Sequence, residues 1–515
     1  MKRLFVVLAG LFLLVHFPDI SWAKGLIPYP VKIAQEKGTF QFTEETKLRC
    51  DKSLASMLPF YKEILKERLG FELTEAGKGA SGVSLSVDKS LDLPEEGYRL
   101  NITSESVKIE APAAKGIFYG LQSLLQLMEP SRDGNFVAVP LTSIEDYPRF
   151  GWRGVMLDVS RTFMNVPLVK RYIDLMAAYK LNVLHFHLTD DQGWRIEIKK
   201  YPRLTTVGSK FDPEFNEMGG YYTQEDIKDL VEYAAWRNVT IVPEIELPGH
   251  ACAAIASYPE LSCNGVRPKI HPFVMGPGIH EEILCAGKPE VYEFIYNVLD
   301  EVMALFPSQY IHIGGDEAPK AAWKKCPHCQ QMMKDNSLSN EEELQSLFVK
   351  KIGNYLSSHG RQLVGWDEII EGGKLAGSEV IMYWRGWVGD RIADHAKRNF
   401  KIVSSPTSHC YFDYSYNAIN TQKVYSFEPV PADMPADMHG NYIGVQANFW
   451  SHLDRAEARI DRQLFPRLFA LAEVAWTAPE NKDWKRFKTF ARTHNEFWRM
   501  QGVNGFYDKQ LYYPD

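Results

Sequence analysis

The sequence predicts an α/β protein in which a small α+β domain precedes a (β/α)8 TIM barrel. Three observations predict this fold class for the 515-residue chain. The first part of the chain runs through several segments with strand periodicity and then one helix. From Arg153 onward, short apolar runs alternate with amphipathic helices, as in parallel strands joined by right-handed crossovers. Residues 145–149, with three charged side chains and a proline, separate the two patterns.

The first domain is predicted to span residues 24–145. Its strand segments alternate apolar with polar residues, and they are Val83-Leu85-Val87, Tyr98-Leu100-Ile102 and Val107-Ile109. The apolar residues that follow recur at helical spacing, and they are Phe118, Leu121, Leu124, Leu125 and Met128. Several strands followed by a helix favour a sheet with helices on one face.

The second domain is predicted to span residues 146–515 and to contain eight parallel strands. The strand candidates are 154–160, 183–190, 240–246, 310–315, 362–366, 380–384, 401–405 and 444–450. Between the second and third, Thr223 begins a helix with an acidic first turn. The inward stripe of that helix is Ile227, Leu230, Val231 and Ala234. Eight strand-helix repeats indicate a barrel, and a doubly wound open sheet is the alternative.

Composition and charge exclude some classes of partner. The net charge of −7 and the absence of long basic runs argue against nucleic-acid binding. Residues 1–23 have the features of a secretory signal peptide, with Lys2 and Arg3 before an apolar run and Ala23 at a cleavage site. No later segment approaches ~20 uninterrupted apolar residues, so no integral membrane segment is expected after signal removal. The mature protein is expected to be exported, with a periplasmic, surface or secreted location.

Seven cysteines leave at least one thiol without an intramolecular partner. Cys263 and Cys285 flank a loop rich in Pro and Gly, which suits one disulfide. Cys326-Pro327-His328-Cys329 has the spacing of redox and zinc motifs, but zinc needs a second pair and none is visible nearby. A local disulfide or two inert cysteines is therefore predicted, with the pairing left open. No metal is predicted, and the absence of nucleotide-binding glycine motifs predicts no cofactor.

Polar and aromatic residues follow the predicted barrel strands, and active sites in this fold lie at those strand ends. They are Asp158 and Arg161, His187, Asp190 and Asp191, Glu246 and His250, Asp316 and Glu317, Trp366 and Asp367, Trp384, Tyr411 and Asp413, and Trp450. An acidic, aromatic pocket suits glycoside chemistry, because an acid protonates the leaving oxygen and rings stack on the sugar. Asp316-Glu317 is the most informative pair, although a solvated acidic pair at a helix start would also explain it.

Two other classes of function stay open. A metal-dependent hydrolase could use the ligand types found at these ends, namely His187, His250, Asp190, Asp191, Glu246 and Asp316. His185 and His187 must share one face of their strand, and the many tryptophans do not suit a metal site. A non-catalytic sugar-binding protein is disfavoured because both Asp316 and Glu317 are present.

Several motifs in order along the chain carry a family resemblance. They are Glu96-Gly97-Tyr98-Arg99-Leu100, Gly116-Ile117-Phe118-Tyr119-Gly120-Leu121-Gln122, Arg161, His187-Leu188-Thr189-Asp190-Asp191, Pro248-Gly249-His250 and Gly314-Gly315-Asp316-Glu317. With these motifs the chain resembles glycoside hydrolase family 20, the β-N-acetylhexosaminidases. The resemblance implies an exo-acting, retaining enzyme that removes terminal β-linked GlcNAc or GalNAc from glycans or glycoconjugates. It also implies an N-terminal α+β domain and a catalytic barrel.

The resemblance assigns roles to individual residues. It implies that Glu317 is the general acid/base, and that Asp316 orients the substrate's acetamido group, whose carbonyl oxygen attacks the anomeric carbon. The acids can be adjacent because no second carboxylate has to stand across the sugar. Tyr411 would hydrogen-bond the acetamido oxygen. The other implied residues wall the pocket, bind ring hydroxyls or support the acid, and they are Trp366, Trp384, Trp450, Arg161, Asp190 and His250.

One position departs from the family pattern. After the strand-eight tryptophan most members carry a glutamate that binds the C4 and C6 hydroxyls, whereas this chain reads Trp450-Ser451-His452. An imidazole can donate and can be cationic. One hypothesis is that His452 accepts an anionic C6 substituent, as in 6-sulfated GlcNAc. Asp413 keeps one acceptor nearby, and the alternative is that a loop residue leaves the specificity unchanged.

Overall fold

The computed structural model describes residues 25–76, 82–130, 136–215, 219–276, 278–373, 375–452 and 456–513. The predicted signal peptide at residues 1–23 lies outside the described residues. Across these ranges, none of the helices combines the length and apolar character needed to span a bilayer.

A mixed β-sheet forms the first domain. In order across the sheet its strands are Lys32–Phe42, Val137–Asp146, Tyr98–Ile102, Val107–Ala111, Val83–Val87, Lys47–Cys50 and Thr74–Glu75, with Glu129–Pro130 paired to the second of them. All three predicted strand segments lie within it. The helices of this domain are Leu58–Leu69 and Ala114–Leu127. Helix Ala114–Leu127 confirms the predicted helix. It packs on strands Tyr98–Ile102 and Val107–Ala111 of the sheet, and its predicted apolar residues Phe118, Leu121 and Leu124 are buried.

Eight parallel strands close into a barrel in the second domain, which confirms the predicted fold class. In chain order they are Trp152–Asp158, Val183–His187, Thr240–Glu244, Tyr310–His312, Gln362–Trp366, Val380–Tyr383, Lys401–Ser404 and Tyr442–Phe449. The first four predicted strands end two or three residues earlier than expected. Their last residues leave the ladder and enter the loops that carry the polar side chains, and Thr189–Asp190 instead pairs with Gly193–Trp194.

α-Helices surround the barrel and follow most of its strands. They are Val166–Ala178, Arg203–Thr206, Gln224–Ala235, Cys252–Ser257, Pro289–Leu305, Ala321–Lys325, Pro327–Asp335, Glu341–Ser358, Gly389–Lys397, Thr421–Tyr425, Glu457–Leu464, Arg467–Trp476, Trp484–Met500 and Lys509–Tyr512. The predicted helix start is confirmed in Gln224–Ala235. The Thr223 hydroxyl accepts from the Asp226 amide, and the Asp226 carboxylate accepts from the Thr223 amide.

The expectation of eight strand-helix repeats is wrong at the fifth connection. The described residues between strands five and six contain the 3-10 helix Asp367–Ile370 and no α-helix. Two glycines there, Gly373 and Gly377, have φ of 69° and 96°, a left-handed backbone that ends helical winding. The connection is therefore short, and Asp367 begins its turn directly at the end of the strand.

Buried ion pairs join the two domains. Lys180, two residues beyond the first barrel helix, places its Nζ 2.8 Å from Oδ2 of Asp146, which ends the sheet strand Val137–Asp146. The hydroxyl of Tyr98 donates to the same carboxylate oxygen at 2.7 Å, and Trp476 Nε1 donates to its Oδ1 at 2.9 Å. Because Lys180 and Asp146 are almost completely buried, water cannot stabilise either charge, and each charge depends on the other for its stabilisation.

Four of the seven cysteines meet in space, which corrects the expectation of a single local pair. Cys326 and Cys329 follow strand four, and Cys263 and Cys285, from the connection after strand three, pack against them. The sequence indicated no second pair because 41 residues separate Cys285 from Cys326 and 66 separate Cys263 from Cys329. All seven cysteines are described, and none of them forms a disulfide in this structure.

Candidate active site

The acidic doublet follows a sharp turn beyond the fourth barrel strand. The strand ends at His312, and Gly314 and Gly315 then take φ of 68° and 98°, which a side chain would disfavour. A side chain on Gly314 would also collide with the carboxyl group of Glu246. This turn places Asp316 in the interior, while 39% of the Glu317 side chain is exposed. Adjacent residues thus present one buried and one accessible carboxyl group.

Asp316 points a free acceptor into the site. Its Oδ1 is buried and has no hydrogen-bond partner among the described protein atoms. Burial raises the pKa of Asp316 to about 6, while His250 opposes the rise and Glu317 adds to it. An unpaired buried oxygen is costly unless a ligand supplies a donor. Asp316 is therefore arranged to accept a hydrogen bond from a bound molecule.

His250 connects Glu317 to buried carboxylates. Its Nε2 lies 3.5 Å from Glu317 Oε2, and its Nδ1 lies 3.2 Å from Asp191 and 3.4 Å from Asp190. Burial opposes the charged imidazole, but Asp190 first and then Asp191 and Glu317 hold the pKa of His250 well above its usual range. A protonated His250 can thus donate towards both sides of the site.

Arg161 closes the opposite side of this charge network. Its Nη2 lies 2.9 Å from Asp190 Oδ2, and its guanidinium lies 4.8 Å from the centre of the Trp450 ring. Burial alone would raise the pKa of Asp190, but Arg161 and then His250 hold it well below its usual range. Arg161 and His250 therefore favour the charged form of Asp190, which lies between them.

A second buried carboxylate, Glu244, lies beneath the site. It is close to three histidines, with His185 Nε2 at 3.0 Å, His312 Nδ1 at 2.8 Å and His187 in a short contact. His185 and His187 both point into the barrel, as the shared-face argument requires. The indole N–H of Trp366 donates to Glu244 at 2.9 Å. This network positions the Trp366 ring from below.

Aromatic rings form a wall beside Asp316. Tyr411 stacks with Trp384 at 6.1 Å and 23°, and Trp450 lies 6.3 Å from Tyr411 and 5.8 Å from Trp366. Tyr411 reaches this wall because it pairs with Asn448 on the eighth strand. Burial, with Asp316 as the next cause, raises the pKa of Tyr411 well above its usual range. The phenol therefore keeps its proton and can donate a hydrogen bond to a ligand.

Asp413 and His452 lie at the outer edge. Burial raises the pKa of Asp413 to about 7, and its Oδ1 has no hydrogen-bond partner among the described atoms. The ring of His452 packs on Phe273 at 4.8 Å, and Phe273 in turn lies 5.7 Å from the Arg161 guanidinium. The structure thus brings all eleven predicted site residues to one end of the barrel, directly or through one neighbour.

Sequence reasoning missed four contributors. Glu244 and His312 are the last residues of their strands in the structure, but they lie inside the longer strands predicted from the sequence, 240–246 and 310–315, so they are not predicted as strand-end residues. Glu368 follows Trp366-Asp367 and could have been found as a strand-end acid; its Oε2 accepts from Trp384 Nε1 at 2.7 Å, and burial and then Asp316 raise its pKa to about 8. Phe273 comes from the long loop after strand three, and no local pattern predicts its position.

Comparisons with known proteins agree with this arrangement. Residues 150–479 match the model of the glycosyl hydrolase family 20 catalytic domain, and residues 23–147 match that of family 20 domain 2. A β-hexosaminidase of Porphyromonas gingivalis is 41% identical over 497 residues, which are 92% of this chain and 63% of that protein. A β-hexosaminidase of Vibrio furnissii is 33% identical, and the match covers 87% of this chain and 76% of that protein.

Solved structures show the same architecture. A GH20 exo β-N-acetylglucosaminidase from Vibrio harveyi, in complex with N-acetylglucosamine, has a TM-score of 0.85 and 34% identity over 94% of this chain and 78% of its own. A β-N-acetylhexosaminidase from Bacteroides fragilis has a TM-score of 0.83 and 32% identity, and the match covers 95% of this chain and 98% of that one. The chain therefore belongs to glycosyl hydrolase family 20 and is a glycoside hydrolase, which confirms the resemblance. The roles of individual residues stay predictions.

Proposed function

We propose that this protein is an exo-acting, retaining β-N-acetylhexosaminidase that removes terminal β-linked GlcNAc or GalNAc. The observation that carries the proposal is the division of labour in the Asp316-Glu317 pair. One carboxyl group is buried with an unpaired oxygen, and its neighbour is accessible and faces His250. A single site with these two groups suits a substrate that brings its own nucleophile.

The first step breaks the glycosidic bond. Glu317 gives its proton to the leaving oxygen while the acetamido carbonyl oxygen bonds to the anomeric carbon. Asp316 accepts the acetamido N–H and balances the positive charge of the resulting oxazolinium ion, electrostatic support worth roughly a few kcal/mol. The tyrosine phenol at 411, which keeps its proton, donates to the acetamido oxygen and aligns it.

The second step returns the proton to Glu317 and regenerates the open acetamido group of the sugar. A water molecule attacks the anomeric carbon and gives a proton to Glu317, and the carbon-oxygen bond of the oxazolinium ring breaks. Two successive displacements on one carbon return the original configuration. The ring wall of Trp366, Trp384 and Trp450 would exclude bulk water and offer aromatic faces on which a sugar ring can stack.

Terminal action is supported by the polar outer edge. Asp413 Oδ1 and Arg161 Nε are buried without a hydrogen-bond partner among the described atoms, and sugar hydroxyls could satisfy both. His452 stands where a carboxylate acceptor would be expected, so the proposal extends to substrates with an anionic C6, such as 6-sulfated GlcNAc. Export to the periplasm, surface or medium remains part of the proposal on the strength of residues 1–23.

The test follows cleavage of an aryl N-acetyl-β-glucosaminide by proton NMR. We expect the first sugar released to be the β-anomer, and we expect the aryl β-glucoside, which lacks the acetamide, to be cleaved at least about 100-fold more slowly. The Glu317→Gln variant is the control for contaminating activity. Release of the α-anomer, or equal rates on the two substrates, would contradict the proposal.

A further inference from the structure

Four thiols form a compact cluster beside the catalytic face of the barrel. The Sγ atoms of Cys263, Cys285, Cys326 and Cys329 all lie within 4.8 Å of one another. The measured separations are 3.6 Å from Cys285 to Cys326, 3.5 Å from Cys285 to Cys329 and 3.8 Å from Cys263 to Cys329. Three of the four residues are buried, and Cys263 is partly buried.

These separations fit the edges of a tetrahedron around one metal ion. A Zn–S bond of about 2.3 Å in tetrahedral geometry puts neighbouring sulfurs about 3.8 Å apart. A disulfide would bring two sulfurs to about 2.05 Å and single out two pairs. Here Cys285 is nearly equidistant from Cys326 and Cys329, so the packing does not favour one partner.

The local backbone is shaped to hold the four sulfurs together. Cys326 is the N-cap of helix Pro327–Asp335, and Cys329 lies in its first turn, so both sulfurs face the same side. A side chain on Gly287 would collide with the backbone of His328 and Cys329. The Cys285 amide donates to the Leu261 carbonyl at 2.8 Å, which holds the segment that carries Cys285 beside the segment that leads to Cys263.

The exposed His328 leaves the ligand set as sulfur alone. We propose that Cys263, Cys285, Cys326 and Cys329 bind one structural Zn²⁺ ion. Four sulfurs in tetrahedral arrangement suit Zn²⁺, and closed four-ligand sites of this kind are structural. Each thiol loses its proton to solvent on binding, so the site needs no oxidant.

The ion would join the two connections that carry the acid and its partner. Cys263 and Cys285 belong to the connection after strand three, which also contains His250 and Phe273. Cys326 and Cys329 belong to the connection after strand four, which also contains Asp316 and Glu317. One metal ion would therefore fix the distance between these loops without touching the substrate.

The test uses the full-length purified protein, measured without added metal. We expect one zinc ion per chain by elemental analysis and no disulfide among these cysteines by non-reducing intact mass. Peptide mapping should show that Cys263, Cys285, Cys326 and Cys329 resist alkylation until the protein is unfolded with a chelator. Two disulfides and no zinc, or four readily alkylated thiols and no zinc, would overturn the assignment.

Two further measurements separate metal binding from a general packing role. The Cys326→Ser/Cys329→Ser variant should lose its zinc, whereas the control Cys50→Ser, which lies in the first domain, should keep one ion. If the double variant does not fold, Co²⁺ exchanged into the wild-type protein decides. Intense thiolate-to-cobalt absorption with tetrahedral d–d bands supports a four-sulfur site, and octahedral cobalt spectra would reject it.

Discussion

His250 Nε2 lies 3.5 Å from Glu317 Oε2, and both residues hold a left-handed backbone, with φ of 47° and 46°. Non-glycine residues in this region each cost on the order of 1 kcal/mol or more, so surrounding contacts must hold them there. For His250 the contacts are the two aspartates behind it. For Glu317 the preceding glycine turn sets the direction. The acid and its partner are thus held at a fixed distance before any substrate arrives.

Asp190→Asn should change how activity depends on pH. Asp190 is the main group that raises the pKa of His250, so in the variant His250 should lose its proton at lower pH. We expect the alkaline limb of the kcat/KM profile to move to lower pH, with a loss of roughly 10- to 100-fold at the optimum. Asp229→Asn, at an exposed surface pair, is the matched control. An unmoved alkaline limb would count against this role of Asp190.

Glu317→Gln should lose activity according to the leaving group. Proton transfer by a positioned acid contributes about 10²- to 10⁴-fold, so we expect a loss of this size on disaccharides. Leaving groups that depart without a proton, such as dinitrophenolate, should be affected far less in the bond-breaking step. Glu225→Gln, on an exposed helix face, provides the comparison. Equal losses on both substrates would show that Glu317 does not act as the acid.

Asp316→Asn should separate stability from activity. Burial raises the pKa of Asp316 to about 6 in the folded protein, so its contribution to stability is fully present below the unfolded pKa and is lost as pH rises through about 6. The variant lacks this loss, and its Tm relative to wild type should be higher at pH 8 than at pH 5, by about 1 to 2 °C. Its kcat/KM should fall about 100-fold or more. A Tm difference that is the same at both pH values would argue against a buried, raised carboxyl group.

His452→Glu should shift selectivity at the outer edge of the sugar. A carboxylate would repel a sulfate and accept from a free hydroxyl, so we expect lower kcat/KM on 6-sulfated aryl GlcNAc and higher kcat/KM on the plain sugar, by roughly 10-fold each. His452→Gln, which has no charge, distinguishes charge from size. If the glutamate variant neither gains on the plain substrate nor loses on the sulfated one, His452 does not set this preference.

Asp146→Ala should destabilise the contact between the domains. It leaves the buried Lys180 ammonium without its counter-charge, and breaking such a pair costs about 3 to 5 kcal/mol. The urea midpoint should fall clearly, measured by tryptophan fluorescence. Glu145→Ala removes the neighbouring surface pairs with Lys32 and Arg99, each worth under about 1 kcal/mol, and should cost less than the loss of the buried pair. Equal shifts in the two variants would contradict the buried pairing.

The sequence predicts most of the fold because its signals are local. Apolar runs identify all eight barrel strands, and the Thr223 cap identifies a helix start, since each depends on residues within a few positions. The fifth connection is different. The repeat pattern predicts a helix there, but Gly373 and Gly377 have left-handed backbone conformations that end helical winding. The strand ends in the structure also differ from the predicted ones, because a strand ends where its backbone hydrogen bonds to the neighbouring strand end.

The site could be predicted only as far as strand ends and family motifs reach. Asp316, Glu317 and the tryptophans are found this way. Glu244 is not found this way, because its role in the site depends on contacts with histidines from two other strands. The cysteine cluster and Phe273 depend on how two long loops fold against each other, which no spacing along the chain encodes.

The Glu244 network and the outer edge draw on different parts of the barrel. The acid, His250 and the histidines around Glu244 come from strands two to four, whereas Asp413 and His452 follow strands seven and eight. Substitutions at the second group can therefore accumulate without disturbing proton transfer at the first. Such a separation would let a lineage exchange one sugar for another while it inherits the same chemical step.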